Sequence, residues 1–252
     1  MSDLSKTRNG RATSSQINRI AKNFKNGKFL KPAITYIDEC KMERKLKRSL
    51  DGGADSMAIR WAYFMEWRLF QKLGLEWSMT SKTTLIHPKE QFAPYWCGTP
   101  DLMSKTKVGE IKNYQLKHFC QIVDIFNRFK NGEITESETV ELLKANEPEI
   151  YWQTVSNAML MNVNIGEMII YAPCEAEMEE IREQIMDPEC LFYIEHKPWN
   201  YRFIAELENH ELAVLPDNSD YDPINSFEFK IPMEDKIHLT KAMIEAIKII
   251  EE

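Results

Sequence analysis

The chain has 252 residues, 43% hydrophobic and 11% aromatic, enough to bury one large core. No apolar run approaches membrane-spanning length, and the polar, basic start has no apolar leader, so neither a membrane protein nor a secreted one is expected. The formal charge of -7 argues against a uniformly basic surface, but residues 1–48 hold 13 Lys and Arg against 4 acids, a balance of +9 against -16 on the remainder. Such asymmetry fits a protein that meets a polyanion with one face. It also describes the solvated faces of ordinary surface helices.

Thr13, Ser14, Ser15 and Gln16 read as a capping box. The helix it opens would bury Ile17, Ile20, Ala21 and Phe24 and end near Asn26-Gly27. Pro32 starts a second expected helix to Leu50, with Ile34, Ile37 and Leu46 as apolar positions. Asp51, Gly52 and Gly53 make a break. A third helix is expected from Asp55 to Leu73, apolar nearly all round and therefore well buried, with Gly74 just past its end. Thr83–Ile86, Pro94–Cys97 and Lys107–Lys112 read as strands. A helix follows from Tyr114 to Lys130, then a charged helical element over 133–146, then a helix from Pro148 to Asn162. Glu167–Tyr171 is an expected strand and Glu175–Met186 an acidic helix. Tyr201–Leu207, Leu212–Leu215 and Phe227–Ile231 read as further strands before a final helix to Ile250. This order predicts an α/β chain with a mixed central sheet flanked by helices. It divides into a helical, basic region (1–75), a catalytic core (76–175) and C-terminal strands and helix (176–252) of a single domain.

Chemistry concentrates in Gly98, Thr99, Pro100 and Asp101, followed by Glu110, Ile111 and Lys112. Glu110 and Lys112 are two apart in one strand, so they share a face. If Asp101 ends a strand that pairs with theirs, two carboxylates and an ammonium converge. Hard oxygen donors of this kind suit Mg²⁺, and a lysine beside the ion can orient an attacking water. Each half alone also occurs as a turn and a solvent-exposed charge pair. Glu66 adds a third carboxylate, set among Phe64, Met65, Trp67, Leu69 and Phe70. There it needs a metal, a salt bridge to Arg60 or Arg68, or an exposed stripe. Gln153 lies on an aromatic-rich helix, by default a boundary position.

Taken in order, Glu66, Pro100-Asp101, Glu110-Ile111-Lys112 and Gln153 resemble the PD-(D/E)xK nuclease superfamily with its restriction-endonuclease-like core. Within it the sequence is most similar to the lambda-type phage exonucleases, the YqaJ-like viral recombinase group. Arg8, Gly10, Thr13 and Ser15 resemble that group's opening motif, and Ala58, Ile59, Arg60 and Trp61 its approach to the helix glutamate. The resemblance implies a DNA exonuclease acting on linear double-stranded DNA ends, 5′ to 3′, in recombination by single-strand annealing. It implies two Mg²⁺ ions, with Mn²⁺ as substitute, held by Asp101, Glu110, the Ile111 carbonyl and Glu66. Lys112 would assist the water and Gln153 would position the water or a terminal phosphate. Arg8, Ser15 and Thr99 would hold a 5′-phosphate. A single-strand annealing partner and a trimeric ring are implied as well.

Other readings are a non-catalytic DNA-binding or scaffold protein on the same fold, or a RecB-like endonuclease. Degenerate members lose an acid or the lysine, and here all four remain. The five cysteines (Cys40, Cys97, Cys120, Cys174, Cys190) lack the clustered spacing of an iron–sulfur site and suit a reducing cytoplasm. The five histidines form no zinc motif, and no nucleotide-binding glycine loop is present.

Overall fold

A computed structural model describes residues 7–50, 55–80 and 83–252. The expected break at Asp51, Gly52 and Gly53 lies outside the described residues. After Thr7 and Arg8, which are helical, come a short strand, Ala12–Thr13 (β1), a 3-10 turn at Ser14–Gln16 and a short helix, Ile17–Ala21 (α1). The expected capping box does not form, because Thr13 is held in β1 opposite Cys97 and its amide donates to the Tyr36 hydroxyl at 2.9 Å. The helix also ends early. Asn26 and Gly27 adopt φ of 51° and 74°, the left-handed pair that a tight hairpin requires, and join Phe24–Lys25 (β2) to Lys28–Phe29 (β3).

Lys31–Leu46 (α2) has Pro32 in its first turn and stops at a left-handed Lys47, short of the expected Leu50. Its buried stripe is Ala33, Tyr36, Ile37 and Cys40, so Ile34 and Leu46 face solvent rather than the core. Met57–Lys72 (α3) is capped by the Ser56 side chain. It is less enclosed than its composition predicts, with Met57 and Tyr63 exposed.

Five short strands follow: Ser78–Met79 (β4), Leu85–Ile86 (β5), Trp96–Gly98 (β6), Leu102–Met103 (β7) and the six-residue Lys107–Lys112 (β8). The strand before Asp101 is not the hairpin partner of β8. Instead β6 joins β1 and β5 in a separate small sheet, while β7, directly after Asp101, pairs with β8 through Leu102↔Gly109. Asp101 is thus the corner between two sheets.

Leu116–Lys130 (α4) leads to Glu136–Asn146 (α5), which Thr135 and Glu138 open with a capping box. Pro148–Met161 (α6) is buried along almost its whole length and ends at a left-handed Asn162. Ile165–Tyr171 (β9) and Glu175–Met186 (α7) follow. The expected strand at Tyr201–Leu207 is instead a helical turn, Phe203–Glu206 (α8), and Leu212–Leu215 contributes only one bridge, Leu215 to Cys174. Their residues Tyr201, Ile204, Leu212 and Val214 pack instead in the layer of α3 and α7, and β9 pairs on its other side with Ile224–Lys230 (β10). Met233–Glu251 (α9) is the last helix. Among the described residues no helix is long and apolar enough to cross a membrane.

The main sheet has the order β10-β9-β8-β7-β4, with β8 and β9 parallel and the other pairs antiparallel. One face packs on α4 and α6, with α1, α2 and α9 behind them, and the other on α3, α7 and residues 191–214. Residues of β8 alternate between these layers, Val108 toward the first and Ile111 toward the second. Glu110 shares the face of Val108 and is therefore aimed at α6.

Gly98 ends β6 against α6, where a Cβ would collide with Ser14 Oγ, Asn157 Oδ1 and Leu160 Cδ1. We expect Gly98→Ala to destabilise the fold by about 1–3 kcal/mol through overpacking. A urea midpoint equal to that of wild type would show that Ser14 and Asn157 can move aside.

Candidate active site

The end of β8 meets both helical layers, and the acidic residues converge there. Asp101 is fixed by its backbone and by its carboxylate. The Thr80 amide donates to the Asp101 carbonyl at 3.2 Å, and the Thr80 hydroxyl donates to the carbonyl of Pro100. Asp101 Oδ2 accepts the Ile111 amide at 2.8 Å, tying the corner to β8. Glu110 is fully buried. Two amides of α6 hold its carboxylate: Gln153 Nε2 donates to Oε2 at 2.5 Å, and Asn157 Nδ2 donates to Oε1. Gln153 and Asn157 are one helical turn apart, so they face the strand together.

Burial pushes Glu110 well above the usual carboxylate range, and the neighbouring Asp101 pushes it further. Burial raises Asp101 too, against the pull of Lys112 and the Ile111 amide. Glu66, on α3, is raised to about 8 by burial and then by Asp101, with Lys112 opposing. It forms no salt bridge with Arg60, which pairs with Asp55, or with Arg68, which pairs with Glu180. The structure leaves Glu66 facing Asp101 and Lys112. A cluster of three carboxylates and one ammonium keeps excess negative charge out of water. It fits a divalent cation by charge and by donor type, since every side-chain donor is a hard oxygen. Among the described residues, however, no three His, Cys, Asp or Glu side chains already surround one point. Asp101 and Glu110 are adjacent, and Glu66 acts on Asp101 through space.

These groups open into a cleft of about 810 Å³. Glu66, Asp101, Ile111, Lys112 and Gln153 line it. Arg8, Ser15 and Thr99 line the same cleft, although they come from two separate segments. Arg8 Nη2 donates to Ser15 Oγ at 3.4 Å, and Ser15 Oγ lies 3.3 Å from Thr13 Oγ1. Thr99 Oγ1 is 3.3 Å from Thr84 Oγ1. A guanidinium beside hydroxyls has the donors that a phosphate pocket would need. The pairing of β1 with β6 and a buried bond between Ser14 and Ser156 hydroxyls at 2.7 Å fasten this pocket to α6. Every site residue named from the sequence therefore borders the cleft, or, for Glu110, lies directly behind it. Sequence reasoning missed Asn157 and Thr80. Asn157 had a visible signal, an amide one turn after Gln153 on an otherwise apolar helix. Thr80 had none.

No protein-family model matches this sequence, and no curated protein matches it. Solved structures do. An alkaline exonuclease from Laribacter hongkongensis superposes with a TM-score of 0.56 at 12% identity, over 99% of this chain and 94% of that one. The same enzyme in complex with dAMP gives 0.54 at 12% identity, over 98% and 93%. A phage-related exonuclease from Haemophilus somnus 129PT gives 0.56 at 10% identity, over 98% and 96%. This chain has the fold of these exonucleases. The likeness runs through nearly the whole length of both partners.

The raised carboxylates set the pH response of the metal-free protein. Glu66 binds its proton more tightly when folded, so its contribution to stability is full below pH 4.5. It is lost as pH rises toward about 8. We expect the metal-free melting temperature to fall across that window and Glu66→Gln to flatten the fall. A melting temperature independent of pH in both proteins would remove the charge cluster from the account.

Proposed function

We propose that this protein is a divalent-metal-dependent deoxyribonuclease of the PD-(D/E)xK type, an exonuclease that enters linear duplex DNA at its ends and moves 5′ to 3′. The observation that carries this reading is the cluster of Glu66, Asp101, Glu110 and Lys112 at the head of a cleft that also presents Arg8, Ser15 and Thr99. The fold shared with the two exonucleases supports it.

In this proposal Asp101, Glu110 and the Ile111 carbonyl hold one divalent cation, and Glu66 reaches a second. When bound, Mg²⁺ (or Mn²⁺) supplies Lewis acidity at the scissile phosphate and neutralises its developing charge. The chain's own groups do the positioning. Gln153 and Asn157 keep Glu110 in one rotamer through their amides. The Lys112 ammonium orients the water for in-line attack on phosphorus and shares the charge of the transition state. Arg8, Ser15 and Thr99 bind the terminal 5′-phosphate and set the register of the cut. The P–O3′ bond breaks, releasing a 5′-mononucleotide and leaving a 3′ single-stranded overhang. Such an overhang suits a single-strand annealing partner in a cytoplasmic, phage-type recombination reaction.

The test is digestion of linear duplex DNA carrying a labelled 5′-phosphate, with and without Mg²⁺. We expect Mg²⁺-dependent release of mononucleotides that falls by about 10²–10⁴-fold in Lys112→Ala. Retained DNA binding with no release from any linear, circular or single-stranded substrate would replace this reading with a non-catalytic DNA-binding protein.

Asn157→Ala should raise the Mg²⁺ concentration needed for half-maximal activity by about 10–100-fold, because it frees one oxygen of Glu110. An unchanged Mg²⁺ titration would assign Asn157 to packing alone.

A further inference from the structure

One wall of the cleft takes no part in the chemistry above. It consists of Tyr63 on α3 together with Leu191, Phe192, Ile194 and His196. Apart from Glu195, which also lines the cleft, this wall is aromatic and aliphatic. His196 lies flat on Phe192, with ring centroids 4.0 Å apart and planes 5° apart. Phe192 is buried, with Phe64 and Tyr201 packed edge-on against it at 5.1 and 4.8 Å. The His196 ring is therefore backed by a rigid stack. Its Nδ1 donates to the Phe192 carbonyl at 3.1 Å, which fixes the ring's rotation. The Tyr63 ring stands 6.3 Å away, tilted by 39°.

Tyr63, Leu191 and Ile194 are 52%, 67% and 78% exposed. Three large apolar side chains open to solvent beside a catalytic cleft mark a surface that something covers. Continuity with the carboxylate cluster identifies the occupant. A group held one sugar away from a phosphate in this cleft is a nucleobase. Ring faces and alkyl groups accept any base by stacking, whereas sequence-reading surfaces use amides and guanidinium groups on base edges.

Resting on the nuclease reading, we propose that Tyr63 and His196, backed by Phe192 and flanked by Leu191 and Ile194, form a stacking subsite. It takes the base of the unpaired terminal nucleotide on the strand being cut, whatever its sequence.

The test uses the full chain and a single strand bearing a 5′-phosphate and a 5′-terminal 2-aminopurine. Ca²⁺ replaces Mg²⁺ to hold back hydrolysis, and binding is followed separately by anisotropy of a distal dye. Wild type should quench the 2-aminopurine on binding. Tyr63→Ala and His196→Ala should lose most of the quench and bind about tenfold more weakly. Tyr63→Phe should quench like wild type, which separates stacking from loss of fold. Trp199→Ala, exposed on the same segment but outside the cleft, should behave as wild type. The proposal is overturned if bound wild type leaves the probe bright, if the alanine variants quench fully, or if the strand does not bind. Hydrolysis is scored apart, in Mg²⁺. Quenching without nucleotide release keeps the stacking subsite and removes the nuclease reading, and release without quenching does the reverse.

Discussion

Glu110 sits out of water next to a second carboxylate, and much of the molecule is arranged around that fact. A buried carboxylate costs several kcal/mol unless its charge is answered. Here the answer comes from α6, whose Gln153 and Asn157 amides reach both oxygens. For those amides to reach the strand, α6 must lie close to it and be enclosed on its other sides. That explains why Thr154, Ser156 and Asn157 are wholly buried in a helix otherwise lined with Tyr151, Trp152 and Val155. Each polar group then needs its own partner. Ser156 takes the Ser14 hydroxyl and the Trp96 indole at 2.7 and 2.8 Å, and Thr154 bonds back to the Ile150 carbonyl at 2.8 Å. The absent side chain at Gly98 belongs to the same set of constraints, since Asn157 occupies the space a Cβ would need.

Some of this was legible in the sequence for definite reasons. Lys107–Lys112 and Glu175–Met186 could be bounded because turn residues or Pro173 stand beside them. Glu110 and Lys112 could be grouped because strand alternation fixes which side chains share a face, and Asp101 joins them although the hairpin expected to bring it there does not form. What failed was information that spacing does not carry. The partner of β8 is set by a two-residue strand too short to show alternation. Residues 201–215 have the apolar content of strands, but they pack as turns in the layer of α3 and α7, a tertiary placement that spacing does not carry. Thr13 looked like a helix cap until pairing with β6, 83 residues away for its neighbour Ser14 and Cys97, claimed its backbone.

The cleft joins unlike surfaces. One part is carboxylate and ammonium, one is guanidinium and hydroxyl, and one is aromatic. The parts draw on both layers, with α3 supplying Glu66 and Tyr63, so the sheet's role is alignment: it brings α3 from one face and α6 from the other to the end of a single strand. The segment 191–196 reaches the cleft only because α7 folds back over the second face, where Phe192 docks on Phe64 and Trp67 at 5.1 and 5.6 Å.

The helix that supports Gln153 and Asn157 is itself supported from the far end of the chain. His238 of α9 stacks near Trp152 at 5.5 Å, and its Nε2 donates to the carbonyl of Ala21 at 2.8 Å. Lys41 reaches the carbonyl of Ile249, and Tyr95 bonds Glu251 at 2.6 Å. The early segment carrying Arg8 and Ser15 is thus locked in place by residues synthesised more than two hundred positions later. α9 is thus a shared buttress: removing it would loosen α6 and the early segment together, although neither lies near it in the sequence.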